Sequence, residues 1–238
     1  RRLISGVPQF TVTLQRAVVY LPSLEEARLL PSGVAYVRAI SFLHHTPNEI
    51  EGRIKEFIER GAIGVVLDVR WVGGGYLRPA RDAASLVLPP HTLLGYVDGG
   101  AGGAVAVHTN RKPIVPEGMP VALLANAKTA GVAELIAAGF RETDGVLLAG
   151  QKTSGRADVE RTKSLLGLND LGRSYEYLVT PGGEKIHGEG VTPEVDTAMT
   201  ANEENTLRMQ MFESYQVTIE YRPLAEAVSW ILSQRASH

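Results

Sequence analysis

Met119-Pro-Val-Ala-Leu-Leu-Ala125 is an apolar run without alternation, followed at once by the small-residue stretch Asn126-Ala-Lys-Thr-Ala-Gly-Val-Ala-Glu134. Such a run suits a strand buried on both faces of a parallel sheet, and parallel strands need crossover helices to join them. The expected continuation is a helix from about Gly131 through Phe140. A helix opening at the end of such a strand presents unpaired backbone N–H groups and the positive end of its dipole, which suits a nucleophile or an anion. No Ser or Cys lies between Asn126 and Glu134, and the one hydroxyl there is that of Thr129.

The pattern recurs along the chain. Strands are expected at 34–40, 63–69, 121–125 and 146–148 in one sheet, with helices at 47–60 and around 131–140 packed on it. Thr46-Pro-Asn-Glu49 has the form of a helix start, with Thr as N-cap, Pro in the first turn and Glu three residues on. Ile50, Ile54, Phe57 and Ile58 then share one stripe, and Gly61 ends it. A further helix is read over 78–88. Strands at 93–97 and 104–108 flank the glycine-rich residues 98–103. Another strand at 175–179 precedes Thr180-Pro-Gly-Gly183, a turn with Pro and Gly in type II positions. Residues 9–15 alternate like a strand, 18–30 read as a connector, and 203–234 as mostly helical with Leu224, Ala227, Val228, Ile231 and Leu232 on one face.

Composition enters by exclusion. A formal charge of −2 over 238 residues, with no basic block, argues against nucleic acid as a partner. No apolar run approaches the length of a membrane-spanning helix. The absence of cysteine removes disulfides, thiolate metal sites and thiol nucleophiles together. Arg1-Arg2 begins no signal peptide, since Gly6 and Pro8 interrupt the next apolar stretch, and the chain reads as part of something longer. His44-His45 with Glu49 reads as a wet loop before a helix, not as a metal site. No metal and no cofactor is expected.

Five segments occur in an order that resembles the carboxyl-terminal processing peptidases, or tail-specific proteases. They are Tyr36-Val-Arg-Ala-Ile-Ser-Phe42; Gly64-Val-Val-Leu-Asp-Val-Arg70 followed by glycines; Leu123-Leu-Ala-Asn126 leading to Ala133-Glu134; Gly150-Gln-Lys-Thr-Ser-Gly155; and Thr180-Pro-Gly-Gly183 with Gly188-Glu-Gly-Val-Thr-Pro193. The resemblance runs from about Gly33 to Asp196. It implies an α/β fold, a ClpP/crotonase-like core of ββα units over residues 20–200. Residues 1–19 would hold the last strand of a PDZ domain and a linker, and residues 201–238 a C-terminal helical extension. It also implies a periplasmic or otherwise extracytoplasmic location, and as partners peptide or protein C-termini, an active homologue or a homo-oligomer.

The family uses a Ser nucleophile, a Lys base and a Gln that orients the Lys. The resemblance places these at Gly131, Arg156 and Glu160, with the family's Ser-Ala-Ser-Ala-Ser-Glu run ending at Glu134 and its Gly-Lys-Gly at Gly155-Arg156-Ala157. Glycine has no side chain to attack a carbonyl. A guanidinium stays protonated, so it cannot serve as a base near neutrality, whereas a desolvated lysine can. By the same resemblance the oxyanion is held by backbone N–H groups of the Gly73-Gly74-Gly75 turn and of Val132, and these do not depend on side chains.

Other readings of these residues stay open from the sequence. The glycine triplet also reads as a tight strand-to-helix turn, Gly131 as a close packing contact, and Arg156 and Glu160 as solvated groups. Asp68 and Arg70 read as partners in a buried network, and Trp71 as a cap on the core edge. Two functions follow. One is a serine-type peptidase homologue without proteolysis, a pseudoenzyme keeping a peptide-binding or scaffolding role. The alternative is a serine/threonine-type endopeptidase with a relocated nucleophile, Thr129 or Ser154, served by Lys128 or Lys152 as base.

Overall fold

The computed structural model describes residues 15, 21–99, 103–161, 174–197, 199, 200, 202, 203, 206 and 222–236, and for 158–161, 174 and 175 the backbone alone. The expected strand at 9–15 and the PDZ remnant fall essentially outside these residues. In chain order the strands are β1 (Leu24–Leu29), β2 (Val34–Ala39), β3 (Gly64–Asp68), β4 (Leu93–Asp98), β5 (Ala104–His108), β6 (Val121–Ala125), β7 (Val146–Gly150), β8 (Asp158–Arg161), β9 (Ser174–Val179) and β10 (Val195–Asp196). The helices are α1 (Thr46–Glu59), α2 (Leu77–Ala84), α3 (Val132–Arg141) and α4 (Arg222–Ala236).

The four expected strands lie side by side as β2, β3, β6 and β7, all parallel, within a sheet ordered β1-β2-β3-β6-β7-β10. Their apolar runs are continuous because both faces are covered. Val65, Leu67, Val121, Leu123 and Ala125 face a core shared with α1, α2 and α3, while Val66, Ala122 and Leu124 face Leu224, Ala227 and Ile231 of α4. A second, antiparallel sheet, ordered β5-β4-β9-β8, stands beside α3.

Several expectations are corrected. Residues 18–30 are not all connector: β1 pairs antiparallel with β2 at the edge of the main sheet. Its Leu-Glu-Glu-Ala-Arg-Leu sequence hides the strand because an edge carries charge, here paired as Glu25 with Arg38 (2.9 Å) and Glu26 with Arg28 (2.8 Å). The second helix ends at Ala84, not Leu88; Ser85 Oγ donates to the Arg81 carbonyl, and Leu86 and Leu88 are buried in the turn that follows.

Thr46 is the first helical residue, not the N-cap. Its hydroxyl accepts from Leu43 N–H (2.8 Å) and donates to the Ser41 carbonyl, while the Glu49 carboxylate accepts from Ser23. The Thr180 turn closes through Gly183 N–H to the Thr180 carbonyl (3.0 Å), but the positive φ of 89° falls on Gly183, not on the central Gly182 a type II turn requires. The apolar face of α4 is not free: Leu224, Ala227 and Ile231 are buried on the sheet and Val228 packs beside them, leaving Leu232 at 43% exposure. Among the described residues no helix is long and apolar enough to cross a membrane, and no group of His, Asp and Glu is arranged to hold a metal.

Candidate functional site

β6 ends at Ala125 and α3 begins at Val132; backbone bonds fix the turn between them to two other segments. Ala130 N–H donates to the Val72 carbonyl (2.8 Å), Gly131 N–H to the Arg156 carbonyl (2.8 Å), and Ser154 N–H to the Thr129 carbonyl (3.0 Å). The positions assigned to nucleophile and base are therefore brought together by the main chain. Gly131 has φ 63° and ψ −133°, a conformation that strains a residue bearing a Cβ and that recurs where a strand-to-helix turn carries a nucleophile. A Cβ on Gly131 would meet only Gly74 Cα, at 3.5 Å. The turn thus has room for a side chain and aims it at the glycine turn.

That glycine turn is held from the opposite side. Tyr76 N–H donates to the Phe42 carbonyl (2.9 Å), and Gly75 lies so close that a Cβ there would sit 2.7 Å from Phe42 N. Among the described residues, the N–H groups of Gly74, Gly75 and Val132 donate to no protein acceptor. Gly74 Cα lies against the Gly131 position and Val132 follows it in the chain; unengaged backbone N–H groups are what an oxyanion or a carboxylate needs.

Below the turn is a buried electrostatic frame. Asp68, fully buried at the end of β3, accepts from Arg70 Nη2 (2.6 Å), Arg70 Nε (3.0 Å), Arg70 N (2.9 Å) and the Tyr36 hydroxyl (2.7 Å). Burial alone would raise its carboxyl, but the charge and hydrogen bonds of Arg70 prevail and hold it below the usual range; burial and Asp68 together push the Tyr36 phenol well up. Trp71 sits at φ 62° with the guanidinium carbons of Arg38 and Arg70 at 4.8 and 5.1 Å from its ring centre. Asn126 Oδ1 accepts from Trp71 N–H and Lys128 N–H, both at 3.1 Å, which ties the two turns together. The expected Asp68–Arg70 network and the core-edge Trp71 are both present.

Glu134 is the residue whose role the sequence reading missed. Fully buried in the first turn of α3, it accepts from the Thr153 hydroxyl (2.5 Å) and Gly155 N–H (2.7 Å), and the Ser154 hydroxyl lies 3.4 Å away. Burial raises its carboxyl above the usual range although these bonds oppose the shift. The signal was available: a carboxylate inside the otherwise apolar Val132-Ala-Glu-Leu-Ile-Ala-Ala138 needs buried partners.

The remaining candidates are placed as follows. Thr129 is buried, its hydroxyl donating to the Val69 carbonyl (3.0 Å) and accepting from Asn126 N–H (3.0 Å). The Ser154 hydroxyl faces Glu134 and accepts from Arg156 N–H (3.2 Å). Lys128, Lys152 and Arg156 are exposed, and no hydrogen bond joins either lysine to either hydroxyl among the described residues. Glu160 lies in β8, with its side chain outside the described residues.

A parallel sheet crossed by helices, with a strand-to-helix turn facing a glycine turn across it, defines a protein of the ClpP/crotonase-like class. Residues 33–197 match Peptidase family S41, and the chain belongs to that family. It is 29% identical over 195 residues to a carboxyl-terminal-processing protease of Synechocystis sp., covering 79% of this chain and 44% of the relative. It is 24% identical over 191 residues to the carboxy-terminal processing protease CtpA of Bacillus subtilis, covering 80% and 40%. The fold is shared with the photosystem II D1 C-terminal processing protease (TM-score 0.62, 24% identity, 71% of this chain and 44% of that one). It is shared as well with a lipoprotein from Streptococcus agalactiae (TM-score 0.60, 20% identity, 88% and 69%). The chain spans less than half the length of these two curated relatives.

Proposed function

We propose that this S41 member binds peptide or protein C-termini at the site of its family's chemistry and does not cleave them. The observation that carries the reading is Gly131. It keeps the backbone of a nucleophile-bearing turn (φ 63°, ψ −133°) beside the unengaged N–H groups of Gly74, Gly75 and Val132, yet has no atom to attack with. Arg156, joined to Gly131 through its carbonyl, is exposed. Donors and cation together suit a terminal carboxylate.

A relocated nucleophile has less support. The Thr129 hydroxyl is spent on Val69 in the core, and Ser154 faces a carboxylate, not a lysine. The family resemblance supports two further readings: residues 1–19 as the end of a PDZ domain, and an extracytoplasmic place of action, with an active homologue as partner.

Purified protein should leave a denatured substrate with an apolar C-terminus uncleaved. Turnover that survives Thr129→Ala with Ser154→Ala would show that Gly131 and Arg156 are not the positions that matter. In calorimetry a peptide acid should bind better than its amide by about 1–3 kcal/mol, the range of a charge-assisted bond. Arg156→Ala should erase that difference, and equal binding of acid and amide by the unaltered protein would refute carboxylate recognition.

A further inference from the structure

The outer strand of the antiparallel sheet, β5, pairs with β4 and has no strand on its other side among the described residues. Its sequence, Ala104-Val-Ala-Val-His108, holds no Asp, Glu, Lys, Arg or Pro. Ala104, Val105, Ala106 and His108 are exposed, Val105 at 65%, while Val107 belongs to the core. Exposed edges are normally blunted by charge or proline. The other outer strands follow that rule, with Glu25, Glu26 and Arg28 in β1, Asp196 in β10 and Asp158, Glu160 and Arg161 in β8. The departure at β5 leaves an uncharged row of backbone donors and acceptors with no strand paired to it among the described residues.

We propose that β5 pairs antiparallel with β5 of a second copy of this chain, joining two four-stranded sheets into one. A second copy fits because the strand is compatible with itself under a two-fold axis at Ala106. That operation sets Ala106 opposite Ala106, Val105 opposite Val107 and Ala104 opposite His108, so no like charges meet. Directly opposed residues point to the same face of a sheet. Val105 of each copy, 65% exposed, therefore lies beside the buried Val107 of the other, and the apolar core continues across the seam. Apart from the imidazole of His108 the strand offers only aliphatic side chains and main chain and has no carboxylate, ammonium or guanidinium with which to select a charged peptide, which favours the second copy over an unrelated charged segment. The inference is independent of the peptide site, since none of these residues lines the Gly131 turn.

Sedimentation velocity of the whole chain should reveal a dimer with a dissociation constant on the order of micromolar. Ala106→Lys places two ammonium groups face to face on the axis and should weaken dimerisation at least about tenfold, and Ala106→Glu should do the same. An equimolar mixture of the two variants should dimerise again, because each lysine then meets a glutamate. A variant that had merely lost its fold would not be rescued in this way. The proposal is overturned if the unaltered chain is monomeric at about 100 µM. It is also overturned if Ala106→Lys dimerises within about threefold of it, or if mixing restores nothing.

Discussion

Asp68→Asn tests the frame beneath the glycine turn. The change keeps size and shape but removes the charge that faces Arg70, which is 2% exposed. Asparagine offers one oxygen where Asp68 uses two: Oδ1 toward Arg70 N and Nε, and Oδ2 toward Arg70 Nη2 and the Tyr36 hydroxyl. Either orientation of the amide turns its NH2 toward donors. Breaking one side of a buried ion pair costs about 3–5 kcal/mol, which for a chain of this size lowers the melting temperature by roughly 10 °C.

The pH dependence has a definite sign. A carboxyl held below its unfolded value contributes stability above that value, near pH ~4, and the contribution is lost as pH falls through the folded value. Asp68 is of this kind. In urea titrations the gap between the unaltered protein and Asp68→Asn should be widest near neutrality and narrow in acid. A gap under about 1 kcal/mol at neutral pH, or one that does not narrow, would refute the reasoning. Asp68→Leu with Arg70→Met should cost less than the sum of the two single changes, since each single change strands a buried charge and the double change strands none.

Three further outcomes follow from the same geometry. The Cβ that Gly131→Ser adds meets only Gly74 Cα, at 3.5 Å, so the main cost in chemical denaturation should be backbone strain, about 1–3 kcal/mol; a neutral effect would show that the turn relaxes. Glu134, an acid raised by burial, lowers stability as pH rises from ~4 through its folded value; Glu134→Gln should flatten that slope, while Glu134→Ala should lose about 1–3 kcal/mol with the acceptor for Thr153 and Gly155. A Gln variant whose profile parallels the unaltered one would contradict this. Ile231→Ala, emptying a fully buried site between α4 and the sheet, should cost about 2–5 kcal/mol in the same titrations, and a cost near zero would mean that α4 is not part of the core.

What the sequence determined by itself is the set of signals that are local or periodic. Continuous apolar runs placed β2, β3, β6 and β7, because burial on both faces of a parallel sheet writes itself into consecutive residues. A stripe placed α1, the helix required after a buried strand placed α3, and the family resemblance pointed to the turn around Gly131 and to Arg156. What only the tertiary structure decided depends on which segments meet. Edge strand β1 carries charges that look like a connector until Arg38 arrives from β2 to pair with Glu25. The stripe on α4 is legible as apolar, but a stripe says nothing of whether it meets the sheet or a partner, and here Val66, Ala122 and Leu124 cover it. Thr46 and Glu49 match a capping box in spacing, yet each satisfies a different donor because Leu43 and Ser23 are nearer in space. The closure of the site is of the same kind: Gly131 reaches Arg156 through a hydrogen bond between main chains, and main-chain atoms are the same for every residue, so no choice of side chain announces the contact.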